Sequence, residues 1–302
     1  MITSLRVSVL LTLLAAAWPQ MAHAQDRAQA PQNSAGNSAS SSASSGAAAG
    51  AAQADPADDP DLDINLSQPD FTLVGLPTTL RMPKGKGAFR VTHRFGRSLG
   101  DGDLGNLAED LFGLDAGAQI GLEYRFGLMS GLQTGIRRTS DRTIDFFTQY
   151  NVLKQADHGF AVGVIASIEG TNNFKDSYSP SIGVAVSREL GEYGAVYVEP
   201  VWVNNTNPLP KLLTDENDTF VVGLGARIRI RPTVYLVGEA IPRMGYKPGS
   251  AFGSFGIEKR AGGHSFQLNF SNGFGTTMGQ LARGGTGGDD WYLGFSIARK
   301  FF

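Results

Sequence analysis

The chain has 302 residues, a formal net charge of −2 and no cysteine. The missing thiol excludes disulfides, a thiolate metal site and a lipid-attachment cysteine, and the near-zero charge argues against nucleic acid as a partner. Past the N-terminal segment no run of 18 or more apolar residues exists, so a membrane span has to be built from strands.

Read from its start, the chain has the order of an export signal: Arg6, an apolar run Val7–Trp18, then Ala22-His23-Ala24 as a small-x-small site. This predicts a cleaved signal peptide over residues 1–24 and a mature chain from Gln25. Residues 25–70 form a second segment, rich in Ala, Ser, Gly, Gln and Asn and ending in the acidic ADPADDPDLD. Its seven acids stand against Arg27 alone. Too few apolar groups offset the entropy of ordering, so a disordered leader is expected there, with order beginning near Phe71. The remainder, 71–302, carries 24 basic and 21 acidic residues.

From residue 86 the apolar residues recur with a period of two, the strand signature. Twelve strands are predicted, around 87–96, 118–126, 131–138, 144–151, 160–168, 182–187, 194–204, 220–231, 233–241, 252–260, 266–271 and 293–298. In 220–231 one face is Phe220, Val222, Leu224, Ala226, Ile228 and Ile230, and the other carries Arg227, Arg229 and Arg231. The connections alternate as well. Five of the six odd ones (97–116, 139–142, 169–178, 205–217, 242–251, 273–290) have ten or more residues. No even one (128–130, 153–158, 190–193, 231–232, 261–263) exceeds six. Leu104, Leu107 and Leu111 are spaced for one short helix within the first.

An alternating strand is buried either in a sandwich or in a barrel surrounded by lipid. The polar face decides for the barrel. It is rich in Gly, Ser, Gln and Asn with scattered charge, which suits a crowded interior, and an arginine turned to lipid at mid-depth costs about 2–4 kcal/mol. The fold class expected is therefore all-β, an antiparallel transmembrane β-barrel of about twelve strands with short periplasmic turns and longer extracellular loops. Lumen-lining candidates are Arg90, Arg94, Glu123, Arg125, Arg137, Asp145, Glu199, Arg227, Arg229, Glu239 and Glu258. Aromatics near strand ends (Phe95, Tyr124, Phe126, Phe160, Trp202, Phe252, Phe270, Trp291) suit an interfacial girdle. The terminal Phe301 and Phe302 resemble the ending read by the barrel-assembly machinery, with Phe302 on the lumen parity and Phe301 on the lipid parity.

The segments FTLVGLPTTLRMPKGKGAFRVTHRFGRSLGDGD (71–103) and LFGLDAGAQIGLEYRFGL (111–128) resemble a bacterial family of predicted β-barrel proteins of unknown function. The likeness covers about 71–302. It implies an envelope β-barrel and supplies no catalytic or ligand residues.

No catalytic, cofactor or metal site is expected. His93, His158 and His264 have no metal-ligand spacing. His264 and Ser265 are neighbours in sequence and so face opposite sides of a strand, which argues against the Ser/His/Asn arrangement of a barrel phospholipase. G-x-S-x-G is absent. The glycine clusters of 273–290 read as a mobile loop, and TDENDT (214–219) lacks the full calcium-loop spacing. Glu123, Glu199, Glu239 and Glu258 share their faces with arginines and read as ion-pair partners rather than as acid/base pairs. The function expected is a narrow passive channel in the outer membrane for small solutes, its arginines favouring anions. The alternative is a closed barrel serving as a structural or interaction platform in outer-membrane lipid. An envelope enzyme is a third reading that finds no residues to carry it.

Overall fold

A computed structural model describes residues 64–101, 117–207, 217–247, 250–287 and 290–302. The signal peptide, most of the leader, the Leu104–Leu111 helix and the first half of TDENDT lie outside the described residues. The strands are β1 (Gly87–Ser98), β2 (Ala118–Met129), β3 (Leu132–Thr139), β4 (Ile144–Leu153), β5 (Ala161–Gly170), β6 (Asp176–Glu189), β7 (Gly194–Val203), β8 (Thr219–Arg231), β9 (Val234–Ile241), β10 (Arg243–Gly245), β11 (Phe252–Ala261), β12 (His264–Ser271) and β13 (Tyr292–Lys300).

Every neighbouring pair is antiparallel, and β1 pairs with β13 from Ala88↔Lys300 to Arg94↔Gly294, which closes the sheet on itself. Both β9 and β10 pair with β8. They are one stave interrupted at Pro242, which lacks the N–H a ladder needs but still accepts from Val222 N at 3.0 Å through its carbonyl. The thirteen segments therefore make a closed twelve-strand barrel with no free edge.

The barrel is apolar outside and polar inside. Leu122, Ile136, Phe146, Ile182, Leu224, Ile228, Leu236, Ile257 and Leu268 point outward, each between 41% and 54% exposed. An apolar belt of this extent on every stave has no stable place in water and is what a lipid-facing barrel wall requires. Arg90, Arg125, Arg227, Glu123, Gln133, Gln149, Gln267 and Asn269 point inward and are buried.

Two connections differ from expectation. Residues 169–178 shorten to a five-residue connection, because β5 runs to Gly170 and β6 starts at Asp176. The glycine-rich stretch 273–290 is not a simple loop: it forms a helix, Met278–Arg283, closed at its start by a capping box between Thr277 and Gln280. The girdle list also needs a correction. Tyr124, Phe160 and Trp202 face outward, but Phe252 is 1% exposed and belongs to the inner core.

The leader boundary moves too. Residues 64–70, expected to be disordered, are described and packed, with Ser67, Gln68 and Asp70 buried. They lead into a hairpin-like turn in which Thr72 bridges Pro77, Thr78 N donates to Phe71 O at 2.8 Å and Leu73 N donates to Leu76 O at 2.8 Å. This hairpin, 71–78, lies within the lumen.

Candidate functional site: a filled lumen

The hairpin enters from the rim of short turns. Near that rim Asn65 Nδ2 and Gln68 Nε2 donate to Glu189 Oε1 at 2.7 and 2.6 Å. On the returning arm Gln149 donates to Thr78 O and Asn151 to Thr79 O, both at 2.8 Å. The inward polar side chains of the wall thus satisfy the backbone of a segment that has no sheet partner. This is the only way such a segment tolerates burial.

At the tip the contacts carry charge. The Glu239 carboxylate accepts from Gly75 N at 2.8 Å, Leu76 N at 3.0 Å and Val74 N at 3.3 Å, and from Ser254 Oγ at 2.9 Å. Three successive amides cupping one carboxylate form a backbone nest, here supplied by the hairpin and filled by the wall. Arg90 donates to Leu73 O and Val74 O at 3.2 and 3.1 Å and lies 3.7 Å from Asp70. Arg227 donates to Thr72 O at 2.8 Å while pairing with Glu258 at 2.9 Å, and Gln267 donates to Leu73 O at 3.0 Å.

The tip's side chains have their own seat. Leu73 and Leu76 pack with Tyr197, Val201, Val221, Ile241 and Phe252 of the wall and with Met278, Leu281 and Ala282 of the helix. Room is made by inward glycines. A β-carbon on Gly223 would stand 2.8 Å from Leu76 Cδ2, and one on Gly225 would overlap Leu73 Cδ1. The helix reaches in from the opposite rim, where Glu169 accepts from Thr277 Oγ1 and from Arg283, Gln280 Nε2 donates to Asp141 at 3.0 Å, and Arg283 Nε donates to Thr206 O at 2.8 Å. Hairpin and helix meet in mid-lumen, with Gly75 against Leu281.

A second charged layer lies beside the hairpin. Glu123 holds Arg125 (2.7 Å) and Arg137, and Arg137 reaches Asp145 at 3.3 Å. The Arg125 guanidinium sits over the rings of Phe147 and Phe71, at 4.8 and 5.3 Å from their centroids. Glu123→Ala leaves the buried Arg125 without a carboxylate and Arg137 with Asp145 alone. We expect it to lower barrel stability by about 3–5 kcal/mol, read as a lower urea midpoint for unfolding from lipid vesicles.

The other candidates divide. Arg94 is buried, bonded to Ser271 and Gly273 O, and lies over the Phe252 ring. Glu199 is fully buried beside Gly223, with neither carboxylate oxygen bonded to a described residue. Arg229 sits at the rim, where it pairs with the exposed Glu192 at 3.2 Å, and Arg231 is exposed. Of the arginine stripe only Arg227 reaches the hairpin. Reading the sequence missed Asp70, Gln267, Glu169, Gln280 and Arg283. Only the Thr277-x-x-Gln280 pair carried a local signal.

A closed antiparallel barrel with an apolar outside and a charged inside is an integral membrane protein. The chain belongs to the family described as Membrane bound beta barrel domain (DUF5777), matched over residues 70–301. No curated protein matches it. Among solved structures it is similar to the NanC porin, with 9% identity and a TM-score of 0.50 over 71% of this chain and all of that one. It is similar also to the COG4313 outer membrane channel from Pseudomonas putida F1, with 12% identity and a TM-score of 0.46 over 73% and 97% of the two chains. At 9% identity the likeness to the NanC porin is one of fold alone.

Proposed function

We propose that the protein is a porin-like channel of the outer membrane that passes small solutes and rests closed, its lumen occupied by the hairpin and the helix. The observation that carries this reading is that two segments outside the strands, the hairpin and the helix, meet and pack inside the lumen. Around them the wall turns small and polar groups inward, among them Gly223, Gly225, Ser254, Gln267 and Asn269, with one apolar sector where the tip of the hairpin is seated. Twelve strands lie between the eight whose side chains fill a barrel and the 16–18 that leave an aqueous channel, so displacing the two segments leaves a narrow, polar passage. The NanC porin, similar in fold, supports the same direction. Export by a signal peptide cleaved after Ala24 and recognition of Phe301 and Phe302 by the barrel-assembly machinery belong to this proposal. Phe301 is exposed on the outer face, and Phe302 packs against the inner cluster of Phe71, Met82 and Ala88.

A second reading, a closed barrel acting as a platform, is favoured by the pairing of Arg227 with Glu258 and of Glu123 with two arginines. Planar-bilayer recording separates the two. Wild type is expected to open rarely. The Arg90→Ala, Glu239→Ala double variant removes charge-assisted bonds each worth about 1.5–3 kcal/mol, and its open probability is expected to rise at least about tenfold. A double variant that folds but never conducts would leave the platform reading in place of the channel.

A further inference from the structure

A cavity of about 100 Å³ lies at the short-turn mouth of the lumen, between the incoming segment (Ile64, Pro69, Asp70) and the staves β11, β12 and β13. One buried water needs only about 10–15 Å³, so the space admits something larger. Its wall carries Arg260, Ser265 and Lys300. Arg260 and Ser265 are direct cross-strand partners, and Ala298, two residues before Lys300, faces Ser265 from the other side. All three share the parity of the inward residues Glu258, Gln267 and Ser296, so they look into the lumen and not toward lipid.

These groups are unengaged. Ser265 is 7% exposed, and its hydroxyl finds no partner among the described residues. Arg260 Nε is buried and likewise unbonded, and the Arg260 guanidinium makes no ion pair with a described residue. Lys300 Nζ touches only the faces of Phe71 and Phe302, at 5.5 and 5.7 Å. The one acid in the cavity, Asp70, is already held by Arg90 and by Phe71 N. Two cations and a hydroxyl therefore line a space whose one acid, Asp70, is engaged elsewhere.

We infer that this mouth binds a small soluble oxyanion, of the size and charge of phosphate, between Arg260, Lys300 and Ser265. The site stands independently of conduction: it needs the folded barrel and its incoming segment, not an open pore. Bidentate guanidinium contact and a hydroxyl donor are the groups that hold such anions elsewhere.

The test is ³¹P line broadening of inorganic phosphate by the full-length protein in a phosphate-free detergent, at ionic strength fixed with chloride. Wild type is expected to broaden the line saturably. Arg260→Gln and Lys300→Gln are each expected to weaken the affinity about tenfold, with Arg138→Gln, at the opposite rim, unchanged. Heat-modifiable gel mobility checks that each variant is folded. The assignment is overturned if wild type broadens no more than Arg260→Gln. It is equally overturned if Arg138→Gln loses as much, or if binding appears only after anionic lipid is added.

Discussion

Arg227→Ala is expected to lower barrel stability by about 3–5 kcal/mol and to free the hairpin. The guanidinium is fully buried and serves three partners, the Glu258 carboxylate at 2.9 Å, the Thr72 carbonyl at 2.8 Å and the Asp70 carbonyl at 3.3 Å. Its removal strands a buried carboxylate and leaves the Thr72 carbonyl with only the longer contact from Arg90, at 3.4 Å. The two effects come apart in a double variant. Arg227→Met with Glu258→Gln removes both charges at similar volume, a change that is often neutral for buried pairs. Urea unfolding should recover most of the loss, yet the hairpin should stay weakened because Thr72 still lacks the shorter of its two donors. Recovery of both would mean that the Thr72 contact contributes nothing.

Gly225→Val is the second large effect. Its β-carbon would occupy the space now taken by Leu73 Cδ1, and the strand wall, bonded on both sides, yields less readily than an unpaired hairpin. The hairpin should be displaced, with an overpacking cost of about 1–3 kcal/mol if it is forced to stay. Leu73→Ala alone empties a buried seat at about 2–5 kcal/mol. Combined with Gly225→Val it restores room, so the pair should cost clearly less than the two single changes together. Strict additivity in urea midpoints would show that Gly225 and Leu73 do not meet.

Much of the wall was legible because its signal is local. In β2 and β8 apolar and polar residues alternate without exception near the centre, and each such stave appears where period two places it. In β7, GAVYVEPVWV, and β9, VYLVGEAI, the alternation fades, because Tyr197, Val201, Tyr235 and Ile241 face inward as well as their apolar neighbours outward. That fading is itself a signal: an apolar inner sector needs an apolar occupant, and FTLVGLP with the Met278–Arg283 helix supplies it. The occupant could not be placed from sequence. Glu239 meets its three amide partners 163 to 165 residues away, and no periodicity reports a contact of that separation. The burial of residues 67–70 was hidden for the same reason. Residues such as Ser67, Gln68 and Asp70 read as solvated, and only a polar lumen makes their burial affordable.

The central claim, that 71–78 occupies the lumen, is tested most directly by thiol accessibility, for which a chain without cysteine is a ready background. Val74→Cys, at a buried hairpin tip, is measured for its rate of reaction with a water-soluble maleimide in folded barrels, against Lys84→Cys on the exposed approach to β1. The account predicts that Val74→Cys reacts at least about a hundredfold more slowly, the protection of a site open for a per cent of the time or less, and that adding Gly225→Val abolishes most of that protection. Equal rates for Val74→Cys and Lys84→Cys in the unaltered barrel would contradict it.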